Sequence, residues 1–498
     1  MKNGKNILTE IEKLAEKRKN EILSLPDANT SGGSVYYVSA AGNDENDGRS
    51  PDSAWKTLER VSSYDFSEGD EVRFRRGYTF RGFVKTRPSV KYCAYGEGEK
   101  PRLYGSEKNY ADPDLWELYD GEKHIWHLKE KALDCGTLVF DDGAAHSRKL
   151  IPSYRGGRFV CRYDEKKEFV ISEEMTNDLD VFWKYDTVLT EKPSKGEDFP
   201  IPALDWESRG ELYLRCDAGN PGEIFDSIES LARRHMFFVG RNENVTIENI
   251  CIKYVGTHAI SAGTTKCLHV SGCEIGWIGG AIQHYFGTDP NYPEGRRGSI
   301  TRYGNGVEIY GGCDDYLVEN CYIYQVYDAG ITHQITTNGK KYELKNIIYR
   351  GNLVEKCVYS IEYFLDENTG VDGSIIDGCL IEDNILRLSG YGWGQQRHNT
   401  HTPAHIKGWS YVNTAQNFVI RGNIFDRAAY RMLHTVALDS TSCPKMEKNT
   451  YIQHSGATLG KYGDNRTTEP HDIIFDESVE RSIKEILLDG EAEIFIIK

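Results

Sequence analysis

The chain has 498 residues, of which 39% are hydrophobic and 27% charged, and a net charge of −16. That length suits one long solenoid with insertions or two to three compact domains. The acidic excess argues against nucleic acid or an anionic membrane as the main partner, and less strongly against a highly anionic polymer as substrate. Forty-nine Gly, 31 Tyr and five Met fit a turn-rich β protein with a polar, aromatic binding face. No run is apolar enough to span a membrane, and the first 26 residues lack the apolar core of a secretion signal, so the expectation is a cytoplasmic protein. The twelve cysteines form no CxxC pair and read as reduced core thiols, not a disulfide framework.

In chain order, Ile7, Ile11, Leu14 and Ile22 fall near helical spacing, which predicts an amphipathic helix over 5–24 ended by Pro26. Its apolar stripe needs a cover, either the side of the solenoid or a second subunit, so a homo-oligomer through this helix is one expectation. Residues 1–33 form this helix and a linker. Residues 34–105 open the solenoid with a strand from Tyr36, an Asp47-Gly48 turn and a short helix over 55–63 that covers its end. Residues 106–230 carry alternating strands with Gly, Asp and Pro turns, which predicts an antiparallel β insertion. The main coils occupy 231–465, and 466–498 hold a helix near 477–488 and a last strand, EAEIFIIK.

The repeats are clearest from Gly306 to Gly394. Taking Cys251, Cys273, Cys321, Asn352, Asn384, Asn423 and Asn449 as equivalent marks gives intervals of 22, 48, 31, 32, 39 and 26 residues. A floor near 22 with variable excess marks coils of one minimum circumference carrying loops of different length. The fold class is all-β, a right-handed parallel β-helix with an antiparallel insertion and an N-terminal amphipathic helix.

Parallel strands stack about 4.8 Å apart and alternate their side chains, so aligned outward positions form columns. With residues 279–305 looped out, Glu308, Thr332, Glu362 and Gly394 share one column. Tyr310, Gln334, Phe364 and Gln396 share the next. Glu308 and Glu362 then stand two rungs apart, about 9.6 Å between backbones, within reach of the spacing of an inverting carboxylate pair. Asp366 follows Glu362 by four residues on the same face, and Asp328, in the turn before Ile331, serves either backbone N–H groups or the site. Asp314 and Asp315 read as turn residues. The candidate catalytic residues are Glu308, Glu362, Asp366 and Asp328.

The loops 279–305 and 390–412 flank this groove and supply aromatic faces and hydrogen-bond donors. Candidate substrate-binding residues are His284, Tyr310, His333, Gln334, Trp393, Gln396, Arg397 and His398, with Tyr391 and Trp409 nearby. His398, His401 and His405 have no carboxylate or Cys at matching spacing, so neither a metal nor a cofactor is expected.

The opening Tyr36–Gly82 and the coils of 245–460, with ENVTIENICIKYVGTHAI, GNGVEIYGGCDDYLVENCYIYQVYDAGITHQ and YSIEYFLDENTG, resemble the right-handed β-helix glycoside hydrolases of the pectate-lyase-like superfamily. The resemblance is to the β-xylosidase, α-fucosidase and xylanase type families. In the β-xylosidase family the nucleophile follows a Trp-Leu pair and the acid/base comes one coil later. The similar phrase Tyr363-Phe364-Leu365-Asp366 implies Asp366 as nucleophile. The next coil offers Gly394-Gln395-Gln396 where an acid is wanted, which leaves that part to Glu362 or Glu308.

The expected function is hydrolysis of a glycosidic bond in a short oligosaccharide, from one chain end. The alternatives are a polysaccharide lyase, for which His333, Arg397 and Lys407 could serve, and a non-catalytic carbohydrate-binding solenoid.

Overall fold

The structure, a computed structural model, describes residues 6–27, 30, 32–153, 158–161, 164, 166–184, 206–283, 301–337, 339–365, 373–397, 403–409, 413–464 and 471–498 with side chains. At 2–3, 154–155, 165, 185, 284–285, 300 and 366 it describes the backbone.

Each coil visits three sheets in the same order. Val245–Glu248 lies in the first, Cys251–Val255 in the second and Ile260–Ala262 in the third, after which Thr265–Ser271 returns to the first. Successive coils pair in parallel on all three sides. Among the described residues the first and third sheets have ten strands each and the second has fourteen. The chain is a parallel β-helix.

The corners explain the sequence between strands. Asn249, Gly272, Asn320, Gly351, Asp383, Gly422 and Lys448 all have positive φ and turn the chain from the first sheet to the second. Gly adopts this left-handed conformation without strain, and Asn and Asp tolerate it. The residue after each corner points inward. These residues include Cys321, Asn352, Asn384, Asn423 and Asn449, which form a buried ladder. Cys321 N–H donates to Asn352 Oδ1 (2.9 Å), and each Asn side chain donates to the next Oδ1 at 2.9, 2.9 and 3.2 Å. Asn449 closes the run on the carboxylate of Asp489 (2.9 Å). Buried amides need partners, and stacking supplies each with one above and one below. One sequence mark was a residue off: Cys251 pairs with Glu274, so Ile250 is the corner equivalent of Cys273.

The interior is apolar. Val245, Leu268, Tyr316, Ile347, Cys379 and Phe418 stack in register along the first sheet. All of them are buried.

Helix Ile7–Leu23 buries Ile7, Ile11, Ala15 and Ile22 against Tyr322, Leu353, Ile385 and Phe495 on the second sheet. Leu14 is on the outside at 39% exposure, because the four-residue step from Ile7 through Ile11 lands on Ala15. The solenoid of the same chain thus covers the stripe.

Between Arg102–Tyr104 and Phe237–Gly240 the chain forms an antiparallel array in which Trp116–Asp120 pairs with Ile125–Leu128, and Arg209–Arg215 with both Ile125–Leu128 and Asp180–Tyr185. This array packs around its own cluster of Trp116, Leu128, Trp183, Leu212 and Leu214.

Candidate active site

The outer face of the third sheet carries the polar groups. In Val307–Tyr310, Val307 and Ile309 point into the core, which sends Glu308 and Tyr310 outward. The register then aligns Glu308, Thr332, Glu362, Lys407, His434 and Lys461. Glu308, Thr332 and Glu362 stand where the alternation placed them. Tyr310, Gln334 and Phe364 form the adjacent outward column, with the Tyr310 and Phe364 rings edge to face at 6.3 Å.

The fourth rung differs from expectation. Trp393–Gln396 is a 3-10 turn, and the rung is Ala404–Gly408, so Lys407 replaces Gly394 in the column. The segment 390–412 is therefore not one loop. Trp393 is buried against Tyr327 and donates its indole N–H to Gln325 O (2.8 Å), which makes it a packing residue. Gln396 accepts Lys149 N–H (3.1 Å) and donates to Ser147 O (2.8 Å), pinning this turn to the insertion. Neither faces the groove column.

His333 also departs from the expectation. It alternates with Thr332 and Gln334 and so faces the interior, bonded to Tyr349 Oη (2.9 Å) and stacked on Tyr363. Burial pushes its imidazole down to about 3. His405 is interior as well, bonded to Ser360 Oγ (3.2 Å). His398 and His401 and the side chains of His284 and Asp366 lie outside the described residues. The backbone of Asp366 pairs with Thr336, at the end of the strand that carries Glu362.

Around the column the charges are closely matched. Glu308 accepts Asn305 Nδ2–H (3.0 Å) and touches His258 Nδ1. Asn305 also donates its backbone N–H to His258 Nδ1 (3.0 Å) and accepts Ala329 N–H (2.9 Å), so it fixes both neighbours. Asp328 pairs with Arg397, whose guanidinium lies over the Tyr359 ring at 5.6 Å. Burial holds the Asp328 carboxyl above its usual range in spite of Arg397.

Glu362 receives the indole N–H of Trp409. Burial, followed by the charge of Asp328, pushes it up to about 8. Lys407 is pushed down to about 7 by burial, with its ammonium 4.1 Å over Trp409 and bonded to His434. Thr332, between the two glutamates, has a buried hydroxyl with no hydrogen-bond partner among the described residues.

No family model matches the chain, and no curated protein matches it. Among solved structures, a complex of XylC with xylose covers 93% of this chain and 82% of its own, at 12% identity and a TM-score of 0.40. A GH136 lacto-N-biosidase from Eubacterium ramulus covers 98% and 70%, at 13% identity and 0.39. A rhamnogalacturonan lyase covers 89% and 80%, at 10% identity and 0.33. Function has to be argued from the groove itself.

Sequence reasoning missed His258, Asn305, Tyr303 and His434. The first three come from loops and corners with no strand pattern, although His258 and Asn305 each sit two residues before an inward Ile or Val that opens a rung. That offset was the available signal. Tyr303 is pushed up to about 12 by burial and by the Glu308 and Asp328 charges, so it stays a hydrogen-bond donor at neutral pH.

Proposed function

We propose that the protein is a glycoside hydrolase that uses Glu362 as general acid and Glu308, held by the side-chain amide of Asn305, as general base. The observation that carries this reading is the placement of two carboxyl groups on one outward column, separated by the single rung of Thr332. Two rungs put the backbones about 9.6 Å apart. Side chains leaning together bring the pair into the roughly 6.5–9.5 Å window that leaves room for a water between base and sugar. Glu362, protonated at neutral pH, gives its proton to the departing glycosidic oxygen. Glu308 takes a proton from the attacking water, and inversion is the expected stereochemistry.

The charge of Asp328 helps burial keep Glu362 protonated, against the opposing pull of Arg397, and the Asp328–Arg397 pair orients sugar hydroxyls. The substrate is a short oligosaccharide or glycoside cut from one chain end, with the insertion residues Leu133 and Trp206 walling the groove beside Phe238. Asp366 is the alternative nucleophile for a retaining route.

A second reading, a polysaccharide lyase, draws on Lys407. An amine near 7 beside Trp409 and Glu362 has the basicity to remove a proton next to a uronate carboxylate. His333, on the inner face, takes no part.

Wild type, Glu308→Gln, Glu362→Gln and Asp366→Asn assayed on aryl glycosides and natural oligosaccharides test the proposal. Glu308→Gln and Glu362→Gln should each lose about 10²- to 10⁴-fold in turnover. Wild-type rates in both variants sink the assignment, and product with an unsaturated ring, from uronate substrates alone, gives the lyase.

A further inference from the structure

We propose that the cleft on the far side of Glu308, between the third sheet and the insertion, is a sugar subsite that seats the next ring of the substrate chain. This rests on the glycosidase reading and adds where the chain extends. The cleft encloses about 330 Å³ and is lined by Phe83, Lys85, Leu133, Trp206, His235 and Phe238. Its rings are exposed: Phe83 and Trp206 at 48% and Phe238 at 44%. Three half-exposed aromatic rings facing one cavity cost hydration free energy unless something covers what is left open. The apolar C–H face of a pyranose does so, while its rim hydroxyls meet polar groups such as Lys85.

Two routes link the lining of the cleft to the carboxylate site. Along the sheet, Phe238, Ser261 and Glu308 share one outward column, so the platform stands two rungs from the catalytic glutamate. Above the sheet, Trp206 and His235 rings lie 4.9 Å apart, His235 stacks on His258 at 5.2 Å, and His258 touches Glu308.

The platform is also held ready. The Arg233 guanidinium lies over Trp206 at 4.7 Å and is itself fixed by Ile282 O at 2.6 Å. A ring so positioned loses little freedom on binding. The size and mixed lining match a small-ligand site, whereas a protein partner would need a far larger surface.

The test is calorimetric titration of Glu362→Gln protein with xylotriose, cellotriose, mannotriose and galacturonotriose, and with the parent monosaccharides, repeated with Phe238→Ala or Trp206→Ala added. At least one trisaccharide should bind, and each added change should weaken it at least tenfold more than it weakens the monosaccharide. Thermal melts of the variants check that the half-exposed rings were removed without unfolding. Failure of every trisaccharide to bind, or equal losses for both ligand lengths, overturns the subsite. Weakened trisaccharide binding without turnover of any probe by wild type keeps the subsite and removes the hydrolase. Turnover by wild type with binding indifferent to both rings does the reverse.

Discussion

Replacing Glu362 by Gln should change how stability depends on pH. Burial and the Asp328 charge move this carboxyl from 4.5 to about 8. The folded protein therefore holds a proton that the unfolded chain releases, so this group's contribution is complete below pH 4.5 and is lost as pH rises through 8. At about 1.4 kcal/mol per pKa unit the displacement amounts to about 5 kcal/mol across that window. Glu362 is 5% exposed, so solvent screens little of it. Lys407 works in the opposite direction: its folded value near 7 lies below 10.5, so stability returns between pH 7 and 10.5 as the unfolded amine keeps its proton longer. Wild type should therefore pass through a stability minimum near pH 7–8. Glu362→Gln cannot ionise and should lose the falling limb. Urea unfolding of both proteins from pH 4.5 to 9 measures the difference, which should grow with pH by several kcal/mol. Parallel curves would show that Glu362 ionises normally and is no general acid.

Other changes test neighbouring parts. Asp328→Asn removes a negative charge beside Glu362 and should move the alkaline limb of kcat/KM to lower pH by about one unit, read from a pH–rate profile. Arg397→Met strands Asp328 in a buried site and should cost about 3–5 kcal/mol, measured by urea denaturation. Asn384→Leu breaks the amide ladder by removing the side-chain hydrogen bonds that Asn384 makes with Asn352, Asn423 and the carbonyl of Tyr349; a loss of about 2–4 kcal/mol is expected. Ile11→Ala uncovers part of the second sheet at a cost of about 2–4 kcal/mol. Light scattering should show its subunit count equal to wild type, since the helix packs on its own chain.

The coil architecture and most of the groove column were legible because alternation and register are local properties of strands. Val307-Glu308-Ile309, Ile331-Thr332-His333 and Ile361-Glu362-Tyr363 each announce an inward-outward-inward step. The same alternation turns His333 inward, against the expectation that it binds substrate. The next rung escapes the pattern because about fourteen residues intervene between Ser389 and Ala404, where the two preceding coils need only 327–328 and 356–358. Ala404-His405-Ile406-Lys407 carries the alternation, while Trp393-Gly394-Gln395-Gln396 does not. Arg397 and Asp328, 69 residues apart, meet through folding of the turn that Gln396 pins. No local pattern records such a meeting. Leu14 yielded to Ala15 because helical phase outranks hydrophobicity when the covering surface is a narrow sheet.

Because Glu308, Thr332 and Glu362 are adjacent rungs of one parallel ladder, main-chain hydrogen bonds act as the ruler for the distance between the two acids. Repacking the interior or lengthening an outer loop leaves that ruler alone. The groove's walls can therefore be exchanged while the two carboxyl groups keep their separation.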